Sequence, residues 1–209
     1  MKKKKLSKIS LLVLDVDGVL TDGSLIVDSS GKISKKFDVK DGLGIKLLQK
    51  EKIQVAFLSG GQSGSTSERA RQLGVENCLC EVKDKKEAIV GLIKKLNSHR
   101  NQVAYLGDDL NDIAVKEKVS ILISTNDSAN GFKNKSDLIL KSKGGKGAVR
   151  EIAEILLNAR QKLGIYKSKG LIEKNGGVSK TNNCQAQTPQ YPRPSILAAP
   201  SQKVENADI

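Results

Sequence analysis

Short, uninterrupted apolar runs recur through the first two thirds of the chain, each followed by polar residues. Leu11-Leu12-Val13-Leu14 breaks off at Asp15, as a strand buried on both faces would where it leaves a sheet. Comparable runs occupy residues 53–58, 75–80, 103–106, 119–123 and 138–140. Between several of them the apolar positions take a helical period: Leu43, Leu47 and Leu48; Ala70 and Leu73; Ile89, Leu92, Ile93 and Leu96. Strands alternating with helices predict an α/β fold with a Rossmann-like parallel sheet.

The exception lies directly after the first run. Residues 24–28 and 33–39 flank Ser29-Ser30-Gly31-Lys32, which predicts an inserted β-hairpin. A last helix is predicted over residues 146–163, with Val149, Ile152, Ala153, Leu156 and Leu157 on its apolar face. Past Gly164 the periodicity stops and Pro189, Pro192 and Pro194 appear, so residues 164–209 are expected to form a disordered tail. The expected organisation is a basic segment 1–8, one domain over 9–163, and that tail.

Charge narrows the partners. Lys and Arg number 36 against 23 Asp and Glu, a net charge of +13 in 209 residues, which favours anionic ligands. Aromatic residues make up only 3% and Trp is absent, so the stacking platforms of a nucleic-acid binder are missing and no nucleic-acid partner is expected. No window approaches the about 18 apolar residues of a membrane span, and Met1-Lys2-Lys3-Lys4-Lys5 leads into no long apolar stretch. Neither membrane insertion nor secretion is expected. Cys78, Cys80 and Cys184 lack zinc-site spacing, which fits free thiols in the cytoplasm.

In an open α/β sheet the ligand sits beyond the carboxyl ends of the strands. The polar residues that follow successive runs are Asp15 and Asp17, then Ser59-Gly60-Gly61, then Lys83-Asp84-Lys85, then Gly107-Asp108-Asp109. This set suits Mg²⁺ with a phosphoryl group, because a hard cation takes carboxylate oxygens while phosphoryl oxygens take hydroxyl and ammonium donors. Gly144-Gly145-Lys146-Gly147 is no nucleotide P-loop, since no Ser or Thr follows its lysine. His99, the one histidine, follows Asn97-Ser98 and is assigned no catalytic part.

Asp15-Val16-Asp17-Gly18-Val19-Leu20-Thr21-Asp22-Gly23 resembles the first motif of the haloacid dehalogenase superfamily of phosphatases. Ser59, Lys85 and Gly107-Asp108-Asp109-Leu110-Asn111-Asp112 fall where the later motifs of that superfamily are expected. More narrowly, the hairpin, Asp41-Gly42-Leu43-Gly44-Ile45 and residues 144–151 resemble the 3-deoxy-D-manno-octulosonate 8-phosphate phosphatase family, which is capless and tetrameric. The resemblance implies the haloacid dehalogenase fold without a cap domain, a homotetramer, and a small acidic sugar phosphate as substrate, in the chemistry of lipopolysaccharide biosynthesis.

On that resemblance Asp15 is the nucleophile and Asp17 the general acid and base. Asp15, the Asp17 carbonyl and Asp108 are the metal ligands, with Asp109 and Asp112 supporting a bound water or holding the loop and Lys85 in place. Ser59, Gly60 and Lys85 hold the phosphoryl group; motif register selects Lys85 over its neighbours Lys83 and Lys86. Arg69 matches a family arginine and, with Gly144, Gly145 and Lys146, is expected at the sugar pocket, partly from a neighbouring subunit. Where the family commonly reads Ser-Gly-Arg this chain has Ser59-Gly60-Gly61, which removes a guanidinium near the substrate. A phosphatase of a nine-carbon ulosonic acid and a non-catalytic assembly module are the alternative readings.

Overall fold

The computed structural model describes residues 2–171. A basic helix, α1 (Lys2–Leu6), precedes β1 (Leu11–Leu14), whose residues are all buried. The chain then forms β2 (Ile26–Val27), β3 (Ile33–Ser34), α2 (Val39–Lys50), β4 (Gln54–Leu58), α3 (Gly64–Leu73), β5 (Asn77–Leu79) and α4 (Lys85–Lys95). It continues through β6 (Val103–Gly107), a 3-10 stretch Leu110–Lys118, β7 (Ile121–Ser124), α5 (Asn130–Lys133), β8 (Leu138–Ile139), α6 (Ala148–Ala159) and α7 (Leu163–Lys169).

The main sheet runs β5-β4-β1-β6-β7-β8, parallel throughout, while β2 and β3 pair separately and antiparallel. Val13 lies in register with Ala56 on one side and Tyr105 on the other. The chain builds outward from β1 to β5 and then crosses to β6 on the opposite flank of β1. That reversal opens a crevice beyond the carboxyl end of β1, where loops on either side part company.

Alternation along β1 explains its uniform apolarity. Leu12 and Leu14 join a core with Phe57, Leu106, Ile45 of α2 and Ile152 of α6. Leu11 and Val13 join the other core with Leu58, Tyr105, Ile89 of α4 and Val115. Each face of the sheet is covered, so each residue needs an apolar side chain. Leu156 on α6 is fully buried, and truncating such a leucine to alanine costs about 2–5 kcal/mol.

Three expectations are corrected. The hairpin is shorter than residues 24–39: its pairing is confined to Ile26–Val27 and Ile33–Ser34, and Val39 opens α2. Asp38 is the reason, since its carboxylate accepts from Lys40 N at 2.7 Å and caps the helix. The strand expected from Val119 begins at Ile121. The last helix is two: Gln161, at φ 59°, interrupts it after Ala159, and α7 carries ordered helix beyond the expected boundary at 163. Leu163 and Tyr166 pack against the core and the Tyr166 hydroxyl donates to Glu51. The remainder of the expected tail, 172–209, lies outside the described residues.

Candidate active site

Asp15 continues the line of β1 by one residue, its N–H donating to Leu106 O at 2.9 Å, so its side chain emerges at the centre of the sheet edge. One carboxylate oxygen accepts from Val16 N at 2.8 Å; the other lies 3.0 Å from Lys85 Nζ. Lys85 is the first residue of α4, with Asp84 capping that helix by accepting from Glu87 N. This places the Lys85 ammonium inward at 4% exposure while Lys83 and Lys86 are exposed.

Asp112 completes the cluster from below. Its Oδ1 accepts from Lys85 Nζ at 2.6 Å and from the Tyr105 hydroxyl at 2.6 Å. Its Oδ2 accepts from the backbone N–H groups of Asp108 at 2.9 Å and Asp109 at 3.4 Å. Both oxygens are therefore engaged in holding Lys85 and the loop after β6. Asp109 turns its carboxylate to Leu110 N, at 2.7 Å, and caps the 3-10 stretch. Tyr105 is absent from the sequence-level reading because a tyrosine inside a buried strand reads as packing.

Carboxylate oxygens of Asp15, Asp108 and Asp112 lie within 4.8 Å of one another. Burial, reinforced by Asp112 and opposed by Lys85, raises Asp15 above the usual carboxylate range. Burial and the neighbouring Asp15, Asp112 and Asp109 push Asp108 up to about 8. Burial alone would lower the Lys85 ammonium, but Asp15 and Asp112 outweigh it and hold it raised. So dense a set of acids, one of them this hard to ionise, suits an oxygen-seeking divalent cation. Gly18 leaves it room: with φ at 84°, a Cβ there would fall 2.0 Å from Asp108 Oδ2.

Opposite this group, Ser59 is fully buried, and its Oγ accepts from Gly61 N at 3.0 Å, leaving the hydroxyl proton free to donate. Ser63, not Ser59, stands at the N-terminus of α3. The cleft enclosed by these loops measures about 710 Å³ and is lined by Asp15, Asp17, Gly60, Gly61, Lys85 and Asp108, among others.

Lys35, which nothing in the sequence analysis singles out, also reaches the site. From the arm after β3 its ammonium lies 2.8 Å from each Asp17 oxygen, with hydrogen-bond geometry to Oδ2, and donates to Thr66 Oγ1 at 3.2 Å. Asp17 Oδ1 is buried without a hydrogen-bond partner. A signal existed: Ile33, Lys35 and Phe37 alternate on one face of the returning arm, and Ser65, Thr66 and Arg69 of α3 meet that face.

Other expected pocket residues lie elsewhere within this chain. The Arg69 guanidinium stands 5.7 Å over the Phe37 ring and donates to Asp38 O, at the base of α2. Gly144 and Gly145 pack backbone to backbone on the first loop: Gly145 N donates to Val19 O at 2.9 Å, and a Cβ on Gly144 would fall 1.9 Å from Gly18 O. Lys146 is exposed beside them. The loop thus braces residues 18–22.

No family model matches the chain. The 3-deoxy-D-manno-octulosonate 8-phosphate phosphatase of Haemophilus influenzae is 38% identical over 164 residues, 78% of this chain and 91% of that protein. The crystal structure of the Moraxella catarrhalis phosphatase of the same name, in complex with a magnesium ion, a phosphate ion and a KDO molecule, has a TM-score of 0.77 at 36% identity, covering 79% of this chain and 95% of that one. The cobalt-bound Haemophilus influenzae enzyme also has a TM-score of 0.77, at 38% identity over 79% and 98% of the two chains. A parallel sheet whose strand order reverses at an acidic strand end, and this degree of likeness over nearly the whole length of these relatives, make one conclusion: the chain belongs to the 3-deoxy-D-manno-octulosonate 8-phosphate phosphatase family of the haloacid dehalogenase superfamily, a family of phosphoric monoester hydrolases.

Proposed function

We propose that this chain hydrolyses 3-deoxy-D-manno-octulosonate 8-phosphate to the free sugar acid and phosphate, with Mg²⁺ bound among its strand-end acids. The observation that carries the reading is the pairing of Asp15 with the buried Lys85 ammonium at 3.0 Å, two residues before Asp17, whose carboxylate borders the same cleft. Asp15 and Asp108, with the Asp17 carbonyl, would hold the metal; Asp112 serves as its support, because both its oxygens are already taken. When bound, Mg²⁺ neutralises charge on the nucleophile and on the phosphoryl oxygens.

The Asp15 carboxylate attacks phosphorus in line as the bond to the sugar oxygen breaks, and an aspartyl-phosphate forms. Asp17 delivers a proton to the departing alkoxide, then takes one from the water that attacks the phosphoryl group and restores Asp15. Lys85 lowers the negative charge at Asp15 that would otherwise repel the phosphate dianion, and the Ser59 hydroxyl donates to a phosphoryl oxygen.

Arg69 and the 144–146 loop act on substrate across a subunit boundary in this reading, with the protein a homotetramer working in the cytoplasm. Supporting it, Leu25, Ile26 and Val27 leave 51%, 63% and 60% of their surface in water, an apolar ribbon with open edges that another copy would cover. Cys78 and Cys80 are free thiols, as a reducing compartment allows. The test is phosphate release from purified protein with the eight-carbon and a nine-carbon ulosonic acid phosphate, with and without Mg²⁺. Turnover of the eight-carbon ester is expected. Preference for the nine-carbon ester would reassign the substrate, and no turnover of any ester would leave an assembly module.

A further inference from the structure

We propose that Lys35 is the specificity-determining cation of this site, reading a carboxylate on the alcohol portion of the substrate, and that Gly61 is the vacancy that admits it. The inference rests on the phosphatase reading and adds the residue that selects among phosphate esters. Lys35 arrives from the hairpin with its side chain 3% exposed, an unusual cost for a lysine unless the ammonium is paired. Both Asp17 oxygens, at 2.8 Å, and Thr66 Oγ1, at 3.2 Å, supply that pairing and hold the ammonium beside the Gly61 loop.

Gly61 and Lys35 depend on one another. A Cβ at position 61 would fall 3.3 Å from Lys35 Nζ and 2.7 Å from Asp17 Oδ2, so a side chain there displaces this ion pair. Glycine in the Ser59-Gly60-Gly61 loop, where a guanidinium is commonly attached, thus leaves space for an ammonium delivered from the hairpin. Among the described residues, the cations nearest the catalytic cleft within one chain are otherwise engaged, and any Arg69 that reaches substrate comes from a neighbouring copy. Lys85 is held between Asp15 and Asp112, and Arg69 is turned to Phe37 and Asp38.

There is also room for the ligand. A crevice of about 370 Å³ lies between the hairpin and α3, lined by Ile33, Lys35, Gln62 and Ser65 among others, and Lys35 stands where this crevice approaches the Gly61 side of the catalytic cleft. A phosphate seated at Asp15 therefore leaves the far end of a sugar acid directed past Gly61 toward the ammonium groups of Lys35 and Lys32, with the one carboxylate of that lining, Glu68, paired to Arg71 at 2.7 Å. A carboxylate is the group that such a lining rewards over a hydroxyl.

The test compares two hexose phosphates that differ at the end remote from phosphorus: 6-phosphogluconate, which carries a carboxylate, and glucose 6-phosphate, which does not. Binding is read by calorimetry with Mg²⁺ in the Asp15→Asn background, so that neither ester is consumed and the result does not depend on which ester is the natural substrate. Lys35→Met should weaken 6-phosphogluconate by roughly ten- to a hundredfold, the loss of one charge-assisted hydrogen bond, and glucose 6-phosphate by less than about threefold. Lys35→Arg, which keeps the charge, should retain most of the preference, and circular dichroism should be the same for all variants. Equal weakening of both compounds would make Lys35 a structural brace for Asp17 and overturn the proposal, as would no change in either. Turnover of the eight-carbon ester by the unaltered protein tests the functional reading separately.

Discussion

Tyr105 donates to Asp112 across 2.6 Å beneath the cleft, and that hydrogen bond sets the position of the ammonium that faces the nucleophile. Tyr105 is fully buried, and burial together with the Asp112 carboxylate drives its phenol well above its ordinary range, so it remains a donor at any working pH. Asp112 oriented in this way holds Lys85 at 2.6 Å, and Lys85 in turn meets Asp15.

Tyr105→Phe removes that donor and leaves a buried acceptor half-satisfied, which typically costs about 1–3 kcal/mol. The melting temperature should fall by several degrees and turnover should drop while the Michaelis constant moves little, because Lys85 loses its fixed support rather than its charge. A thermal melt and steady-state kinetics check both; a variant as stable and as fast as the parent would remove Tyr105 from the cluster.

Asp15→Asn should abolish phosphate release with the fold unchanged by circular dichroism. The amide keeps the shape but is a poor nucleophile, and the loss of one acid relieves the repulsion that raises Asp108. Residual turnover within about tenfold of the parent, only ~1.4 kcal/mol of barrier, would contradict covalent catalysis by Asp15.

Chelation should extinguish activity, and Mg²⁺ should restore it and raise the melting temperature. At about a hundred times its dissociation constant, a ligand specific to the folded state adds about 2.7 kcal/mol. Asp108→Ala should demand far more Mg²⁺ for the same shift. A chelated protein with full activity would refute the assignment of the metal to these acids.

Asp41 provides a pH test outside the catalytic group. It lies buried where α2 meets the first turn of α6, accepting from Arg150 N at 2.8 Å and Gly147 N at 3.3 Å. Burial, opposed by these hydrogen bonds, pushes its carboxyl up to about 6 from an ordinary 3.8. The folded state thus binds this proton more tightly than the unfolded chain, so the associated stabilisation is complete below the ordinary value and is lost as pH rises through 6. A shift of this size is worth at most about 3 kcal/mol. Asp41→Asn cannot titrate, and its stability relative to the parent should rise between pH 4 and 7 in urea melts. A constant difference across that range would show that Asp41 does not titrate there.

Light scattering at micromolar concentration should give the mass of a tetramer, and replacing Ile26 and Val27 with lysine should lower it. These side chains are exposed, so their substitution leaves the core untouched. An active parent monomer would refute assembly through the hairpin.

Much of the site was legible in order along the chain. Asp15, Ser59 and Asp108 each stand directly after a run apolar enough to be a doubly covered strand, and parallel strands deliver their carboxyl ends to one edge, so local pattern and a general rule of sheet topology together bring these residues near one another. Lys85 was legible through motif register, and the structure supplies the physical counterpart: Asp84 caps the helix that follows β5, which puts the next residue at the same edge. What packing alone decided is the contact of residues whose neighbours in sequence carry no signal. Lys35 reaches Asp17 and Thr66 across separations of 18 and 31 residues, Arg69 turns to Phe37 rather than into the cleft, and Gly144 serves as a seat for the Gly18 carbonyl. Periodicity along one element reports which face is buried. Which partner that face meets depends on how hairpin, helix and loop settle against one another, and that is a property of the packed whole.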